Sequence, residues 1–237
     1  MNYYFITGSS SGIGKALVEE LVKFPANYVY GMSRTNYMVD DQFEHHLIDL
    51  SNVDDVKGFS FPEFKQAEQI ILVNNAGTLG DITHLGKQSD ENIIDSIMVN
   101  LSSAAVLMNK FLKTYAAYTC RKCILNISSG AADSPYDGWA NYCSAKAALN
   151  MYTRVVHEEQ KEQKFPCEIY AIAPGVVDTL MQDQIRQVDE QSFSRIDKFR
   201  QLKANNELYQ ANDVAVKLIE FMEYPEKIPS LISRIKL

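Results

Sequence analysis

Tyr142 and Lys146 stand four residues apart in Tyr-Cys-Ser-Ala-Lys, and Ser128 precedes the tyrosine by fourteen residues in Asn-Ile-Ser-Ser-Gly. On a helix, positions i and i+4 share one face, with Cβ atoms about 5–6 Å apart. A phenol titrates near 10 when unperturbed, and a neighbouring cation favours its ionised form. The pair can therefore act as a proton donor of adjustable pKa, and a serine hydroxyl beside it can hold an oxygen on which charge develops. Taken singly, each residue has a plainer use: a half-buried helix aromatic, a solvated lysine, a strand-end turn serine. The chemistry lies in the combination.

A second constellation sits at the start of the chain, where Thr7-Gly8-Ser9-Ser10-Ser11-Gly12-Ile13-Gly14 follows an apolar run and leads into a helical pattern. Glycines there permit a tight turn and close backbone approach, and the N-terminus of the following helix attracts phosphate. The spacing is G-x-x-x-G-x-G, and the lysine of a P-loop is missing.

The elements that must position these groups can be read from periodicity. Strands are expected at Tyr3–Thr7, Tyr28–Met32, His46–Asp49, Ile70–Asn74, Cys123–Ile127, Glu168–Ile172 and Leu231–Ile235. Several are continuous apolar runs, as in parallel strands covered on both faces. Helical patterns occupy Ile13–Phe24, Asp90–Tyr115, Asn141–Gln163 and Asp213–Glu223, the last with Asn212 or Asp213 as its cap. The alternation predicts an α/β fold, a single doubly wound parallel sheet of about seven strands with helices on both faces. The polar segment 179–210 breaks the rhythm after a strand's carboxyl end, where ligands bind in open sheets, and is expected to be a lid over substrate.

Composition excludes several function classes. Thirty acidic residues against 23 basic ones give a net charge of −7 with no basic stripe, which argues against nucleic acid and anionic membrane as partners. No apolar run approaches the roughly 18–20 residues of a membrane span. Met1-Asn2 leads straight into the first apolar run, so a cytoplasmic chain is expected. Cys120 and Cys123 have the C-x-x-C spacing without a second pair or a suitably placed histidine, and the four histidines share no metal-like spacing, so no metal is expected.

The glycine loop, Asn74-Asn75-Ala76-Gly77, Asn100, Ser128, Tyr142-x-x-x-Lys146 and Pro174-Gly175 occur in an order that resembles the short-chain dehydrogenase/reductase family over nearly the whole chain. The resemblance implies a reductase in which hydride passes from a nicotinamide cofactor to a carbonyl carbon. Tyr142 would then donate a proton to the carbonyl oxygen, and Ser128 would polarise it. Lys146 would bind the nicotinamide ribose and lower the Tyr142 pKa, and the Asn100 backbone carbonyl would hold a proton-relaying water. The implied cofactor contacts are Gly8, Ser10, Ser11, Gly12, Ile13, Gly14, Asp49, Leu50, Asn75, Ala76, Gly77, Tyr142, Lys146, Pro174, Gly175, Val177 and Thr179. The second strand ends in Gly31-Met32-Ser33-Arg34 with no carboxylate for ribose hydroxyls, and Ser33 and Arg34 can bind a 2′-phosphate, so NADP(H) is the expected cofactor.

Stretches around Asn74–Asp81, Gly138-Trp139-Ala140 and Ala173–Gln182 resemble the branch of the family that holds sepiapterin reductases and (S)-benzoin-forming benzil reductases. Leu79, Trp139, Val176 and Met181 are expected to line an apolar pocket beside Ser128 and Tyr142, suited to a flat, partly aromatic dicarbonyl. Sepiapterin reductases anchor the pterin with an acidic residue near the C-terminus, and 230–237 contains none, which favours a benzil-like substrate over a pterin. A 3-oxoacyl thioester reductase and an alcohol or sugar dehydrogenase share the same chemistry. A non-catalytic NADP(H) sensor would not need the proton donor. By analogy with relatives, the helices 90–115 and 141–163 are expected to mediate a homodimer or homotetramer.

Overall fold

Short apolar runs separated by helices suit a parallel sheet with both faces covered, and the computed structural model, which describes residues 1–237, contains one. Its strands are β1 (Asn2–Thr7), β2 (Asn27–Ser33), β3 (Phe43–Leu47), β4 (Gln69–Asn74), β5 (Arg121–Ile127), β6 (Glu168–Ala173) and β7 (Ile232–Arg234). They lie in the order β3-β2-β1-β4-β5-β6-β7, with every neighbouring pair parallel. The chain runs outward from β1 to β3, then returns to β4 on the other side of β1. That reversal opens a crevice at the carboxyl ends of β1 and β4, where ligands bind in such sheets.

Alternation along β1 sets the two faces. Tyr4 and Ile6 pack with Leu17 and Leu21 of α1 (Gly12–Leu21) and with Val214 and Leu218 of α8 (Ala211–Glu223). Phe5 points the other way, into a core with Leu107 and Phe111 of α4 (Ser103–Thr114) and Leu149 of α5 (Ala140–Lys161). No helix is long and apolar enough to cross a membrane.

The structure differs from the sequence reading in definable ways. The third strand begins earlier than expected, at Phe43, because its register pairs Val29 with Phe43 and Ser33 with Leu47. Gly31 makes room for it, since a Cβ there would lie 2.5 Å from the Phe43 ring. Asp49 consequently belongs to the following turn, its carboxylate accepting the Ser51 N–H at 2.9 Å. A short helix, α2 (Val53–Gly58), capped by the Asn52 side chain, was not anticipated. The expected helix 90–115 is two helices, α3 (Asp90–Ile97) and α4, joined by a π turn at Met98–Ser102. The amide of Asn100 donates to Ser96 O at 2.8 Å within this widened turn. The last helix starts at Ala211 after Gln210, so neither Asn212 nor Asp213 caps it. Segment 179–210 holds α6 (Leu180–Gln187) and α7 (Ile196–Ala204).

The glycine loop shows why one position admits no side chain. A Cβ on Gly14 would come within 2.3 Å of Gly8 O and 2.5 Å of Asn75 Nδ2. The first is backbone of the strand-to-helix turn, and the second is held by its bond to Thr7 O, so neither yields freely. Gly14→Ala is expected to destabilise the protein by about 1–3 kcal/mol, seen as a lower urea midpoint; an unchanged midpoint would contradict the packing described.

Candidate active site

β5 ends at Ile127, and the next residue is held in line by Ser128 N donating to Ile172 O at 2.9 Å. Ser128 is buried, and its hydroxyl donates to Asn150 Oδ1 at 2.6 Å. Asn150 follows Lys146 by four residues, as Lys146 follows Tyr142, so the three form one stripe on the buried face of α5. Thr153 extends the stripe, accepting from Asn126 Nδ2 at 2.9 Å, while Asn126 Oδ1 accepts from Asn74 Nδ2 at 2.8 Å. Helix α5 is thereby tied to β5 and β4 by a polar seam inside the apolar core.

Lys146 is 3 % exposed, and its Nζ donates to Ile127 O at 2.8 Å. No carboxylate pairs with it, and burial alone pushes its pKa down to about 8. The Nζ also lies 3.6 Å from where a Cβ on Gly77 would sit, so the ammonium reaches the turn that follows β4, although it lines neither of the site's two cavities. Tyr142 is buried, with its ring 5.7 Å from that Nζ and in edge contact with Trp139. Burial pushes the phenol's pKa up, and the nearby Ser129 hydroxyl acts in the opposite direction. Removal from water disfavours the charged form of both groups, so the phenol is held protonated while the ammonium gives up its proton more readily.

Ser128 and Tyr142 open onto a cavity of about 580 Å³, and Leu79, Trp139, Val176 and Met181 line it as well. Pro174, Gly175, Val177 and Thr179 of the loop after β6 form another wall. Gly175 has φ +85°, and Tyr209 lies so close that a Cβ would meet its ring at 2.6 Å. Helices α6 and α7 close the outer side, where Ile185, Phe193, Ile196 and Phe199 cluster with Trp139 and Tyr142. Asp178 ties them to the loop by accepting from Lys203 Nζ at 2.5 Å.

A second cavity, of about 350 Å³, lies across the start of α1 and is lined by Gly8, Ser10, Ser11, Arg34, Asp49 and Leu50, with Ser33, Ala76 and Gly77 beside them. Ile13 lines the first cavity, so the glycine loop borders both. Thr179 reaches toward the same loop; its Cγ2 is 3.2 Å from a Cβ placed on Gly12. Hydrogen bonds from Ser51 and the charge of Arg34 hold the Asp49 carboxyl below its ordinary value.

Some expected contacts have other work. Asn75 lines neither cavity; its Nδ2 donates to Thr7 O at 2.9 Å, and Thr7 Oγ1 accepts from the N–H groups of Asn75 and Ala76. Gly12 and Gly14 likewise shape the turn without lining a cavity. Ser33 Oγ donates to Thr35 O at 2.9 Å and lies 2.9 Å from His45 Nε2, so its hydroxyl braces the strand end that carries Arg34. The Asn100 amide straps Thr78, donating to its carbonyl at 2.7 Å and accepting from its N–H at 3.1 Å. Asn150, His45 and Arg234 were missed. For Asn150 a signal existed, a polar residue one helical turn beyond Lys146.

The arrangement fits a nicotinamide dinucleotide. The Ser11 side chain makes no capping bond at the start of α1, Arg34 faces the second cavity without an ion pair, and Lys146 is a buried ammonium bonded to a single carbonyl. Such groups call for phosphate and hydroxyl oxygens.

Comparison with known proteins agrees with this class. The profile of the family described as short chain dehydrogenase matches residues 2–190. The chain belongs to that family, and is an oxidoreductase that uses a nicotinamide cofactor on a small-molecule substrate. It is 34% identical over 242 residues to a benzil reductase ((S)-benzoin forming) of Bacillus cereus, covering 95% of this chain and 97% of that one. A sepiapterin reductase of Xenopus laevis is 29% identical over 199 residues, covering 75% of this chain and 74% of the relative. The crystal structure of the KRED1-Pglu enzyme superimposes with a TM-score of 0.80 at 25% identity, covering 94% and 95% of the two chains.

The lowered pKa of Lys146 has a consequence for stability. Its folded value of about 8 lies below the ordinary 10.5, so burying the charged form is unfavourable below pH 8, and the cost fades as pH rises toward 10.5. Lys146→Met should therefore stabilise the cofactor-free protein at pH 7 by roughly 1–3 kcal/mol, with the gain shrinking at higher pH. Thermal unfolding at several pH values checks this, and a loss of stability at pH 7 would contradict it.

Proposed function

We propose that this chain is an NADPH-dependent carbonyl reductase acting on vicinal dicarbonyls of the benzil type. The observation that carries the reading is the convergence of Tyr142 and Ser128 on one apolar-walled cavity that adjoins the glycine loop. When bound, NADPH supplies the hydride. Tyr142, kept protonated by burial, gives its proton to the carbonyl oxygen as charge builds there. Ser128, steadied by Asn150, offers its hydroxyl proton to the same oxygen, which competes with Asn150 Oδ1 for it. Lys146 holds the nicotinamide ribose hydroxyls with the protons that Ile127 O does not use. Asn100 keeps the Thr78 loop beside this site, and its backbone carbonyl is the proposed holder of the relaying water. Gly8, Ser10 and Ser11 take the pyrophosphate on backbone N–H groups, Asp49 and Leu50 flank the adenine, and Arg34 takes the 2′-phosphate.

Segment 179–210 serves as the cover over substrate, supported by the packing of Phe193 and Phe199 on Trp139. The similarity to benzil reductase spans nearly the whole of both chains, which favours a benzil-like substrate. The C-terminal strand brings Arg234 to the cavity, whereas a pterin's guanidine-like edge calls for a carboxylate there. Exposed Ile94 on α3 and Met151, Tyr152 and Val155 on α5 support association through these helices into a homodimer or homotetramer.

Tyr142→Phe should lower kcat for benzil reduction by about 10²–10⁴-fold while the NADPH dissociation constant stays within about twofold; retained turnover would remove the tyrosine from its role. Arg34→Ala should raise KM for NADPH about tenfold or more and leave KM for NADH nearly unchanged. Equal losses with both cofactors would show that Arg34 does not select the 2′-phosphate.

A further inference from the structure

The wall of the larger cavity carries three basic side chains, Arg195, Lys198 and Arg234, against one acidic side chain, Glu207, in a chain whose net charge is −7. Nearby, Arg186, Arg200 and Lys203 are all paired with carboxylates. Arg195, Lys198 and Arg234 make no ion pair: Arg195 rests over the Tyr136 ring at 4.8 Å, and Glu207 is engaged by Asn205 Nδ2 at 2.9 Å.

Arg234 is the best placed of the three. Its strand, β7, is in register with β6 so that Arg234 stands opposite Ala173, locked by Ile235 N donating to Ala173 O at 2.9 Å. On the other side of β6, Ser128 is locked to Ile172. The guanidinium therefore reaches across the carboxyl end of β6 to the turn that follows Ser128. Its Nη2 occupies the space a side chain on Gly130 would need, 2.0 Å from the position of such a Cβ. With no side chain at Gly130 the cation lies directly against the serine turn, and a guanidinium offers a planar fork of donors matched to a carboxylate.

We infer that the preferred substrate carries a carboxylate in addition to the carbonyl that is reduced, and that Arg234 docks this carboxylate, with Lys198 and Arg195 adding positive potential at the mouth. The inference rests on the reading of this cavity as a carbonyl-reducing site and narrows its substrate to anionic dicarbonyls and 2-oxo acids. It also gives a reason for the basic character of the wall, which a neutral diketone alone would leave unused. The positive field would raise the local concentration of such a substrate despite the negative charge of the whole chain.

The test compares probes that differ in charge and little in shape: para-carboxybenzil with para-carbamoylbenzil, and benzoylformate with benzoylformamide. With NADPH, kcat/KM for the carboxylate of at least one pair should exceed that of its amide by about tenfold. The ratio should shrink as salt screens the cations, collapse toward one in Arg234→Gln, and survive in part in Arg234→Lys. Equal turnover of acid and amide, or a ratio untouched by Arg234→Gln, overturns the inference while leaving the reductase reading intact. Calorimetric binding of the same probes to the NADP⁺ complex separates the two ideas. Arg234-dependent preference for the carboxylate without reduction of any probe would support the anion site and overturn the reductase reading. No preference in binding and no reduction would overturn both.

Discussion

The buried polar stripe of α5 is the constraint on which the site depends. Tyr142, Lys146, Asn150 and Thr153 occupy helix positions that in an ordinary packed helix would be apolar, and all lie against the sheet core. A buried polar group without a partner costs free energy comparable to a lost hydrogen bond or more. Ser128, Asn126 and the Ile127 carbonyl meet that demand for Asn150, Thr153 and Lys146 in turn. Sliding or rotating α5 against β5 would break these contacts together. The helix therefore has one satisfactory register, and that register sets Tyr142 beside Ser128 at the cavity wall.

The same seam explains how an energetically awkward ammonium persists. Apolar packing on both faces of the sheet supplies the stability, and the site draws on it to keep Lys146 and Tyr142 out of water. Burial moves the two groups in opposite directions, the ammonium down and the phenol up. The phenol is thereby kept as an acid, and the lysine is left with protons that no protein acceptor uses. A site built in this way is incomplete until a ligand supplies oxygen atoms. The Asn75 and Asn100 amides do the quieter work of bracing the glycine loop and the Thr78 loop around it.

The parallel sheet and six of the seven strand positions to within two residues were legible because their signals are local apolar runs, and the glycine loop and the Tyr142–Lys146 pair because theirs are glycine spacing and an i, i+4 interval. Departures arose where a distant partner decides. β3 begins at Phe43 because Gly31, twelve residues earlier, leaves space for its ring. The helix 90–115 widens at Met98–Ser102, where the Asn100 side chain is drawn to the 78–80 loop and to Ser96. At the end of β2, Thr35 and His45 engage the Ser33 hydroxyl, the latter across the β2–β3 pairing.

By itself, the sequence determined the order of elements, the glycine-rich turn and the pairing of Tyr142 with Lys146, since each follows from periodicity or steric freedom within a few residues. Only the tertiary structure decided that Asn150 steadies Ser128, that burial raises the tyrosine's pKa, and that Arg234 fills the space beside Gly130. Those outcomes depend on strand register and on water being excluded from between segments far apart in the chain. Neither quantity is written in the spacing of neighbouring residues.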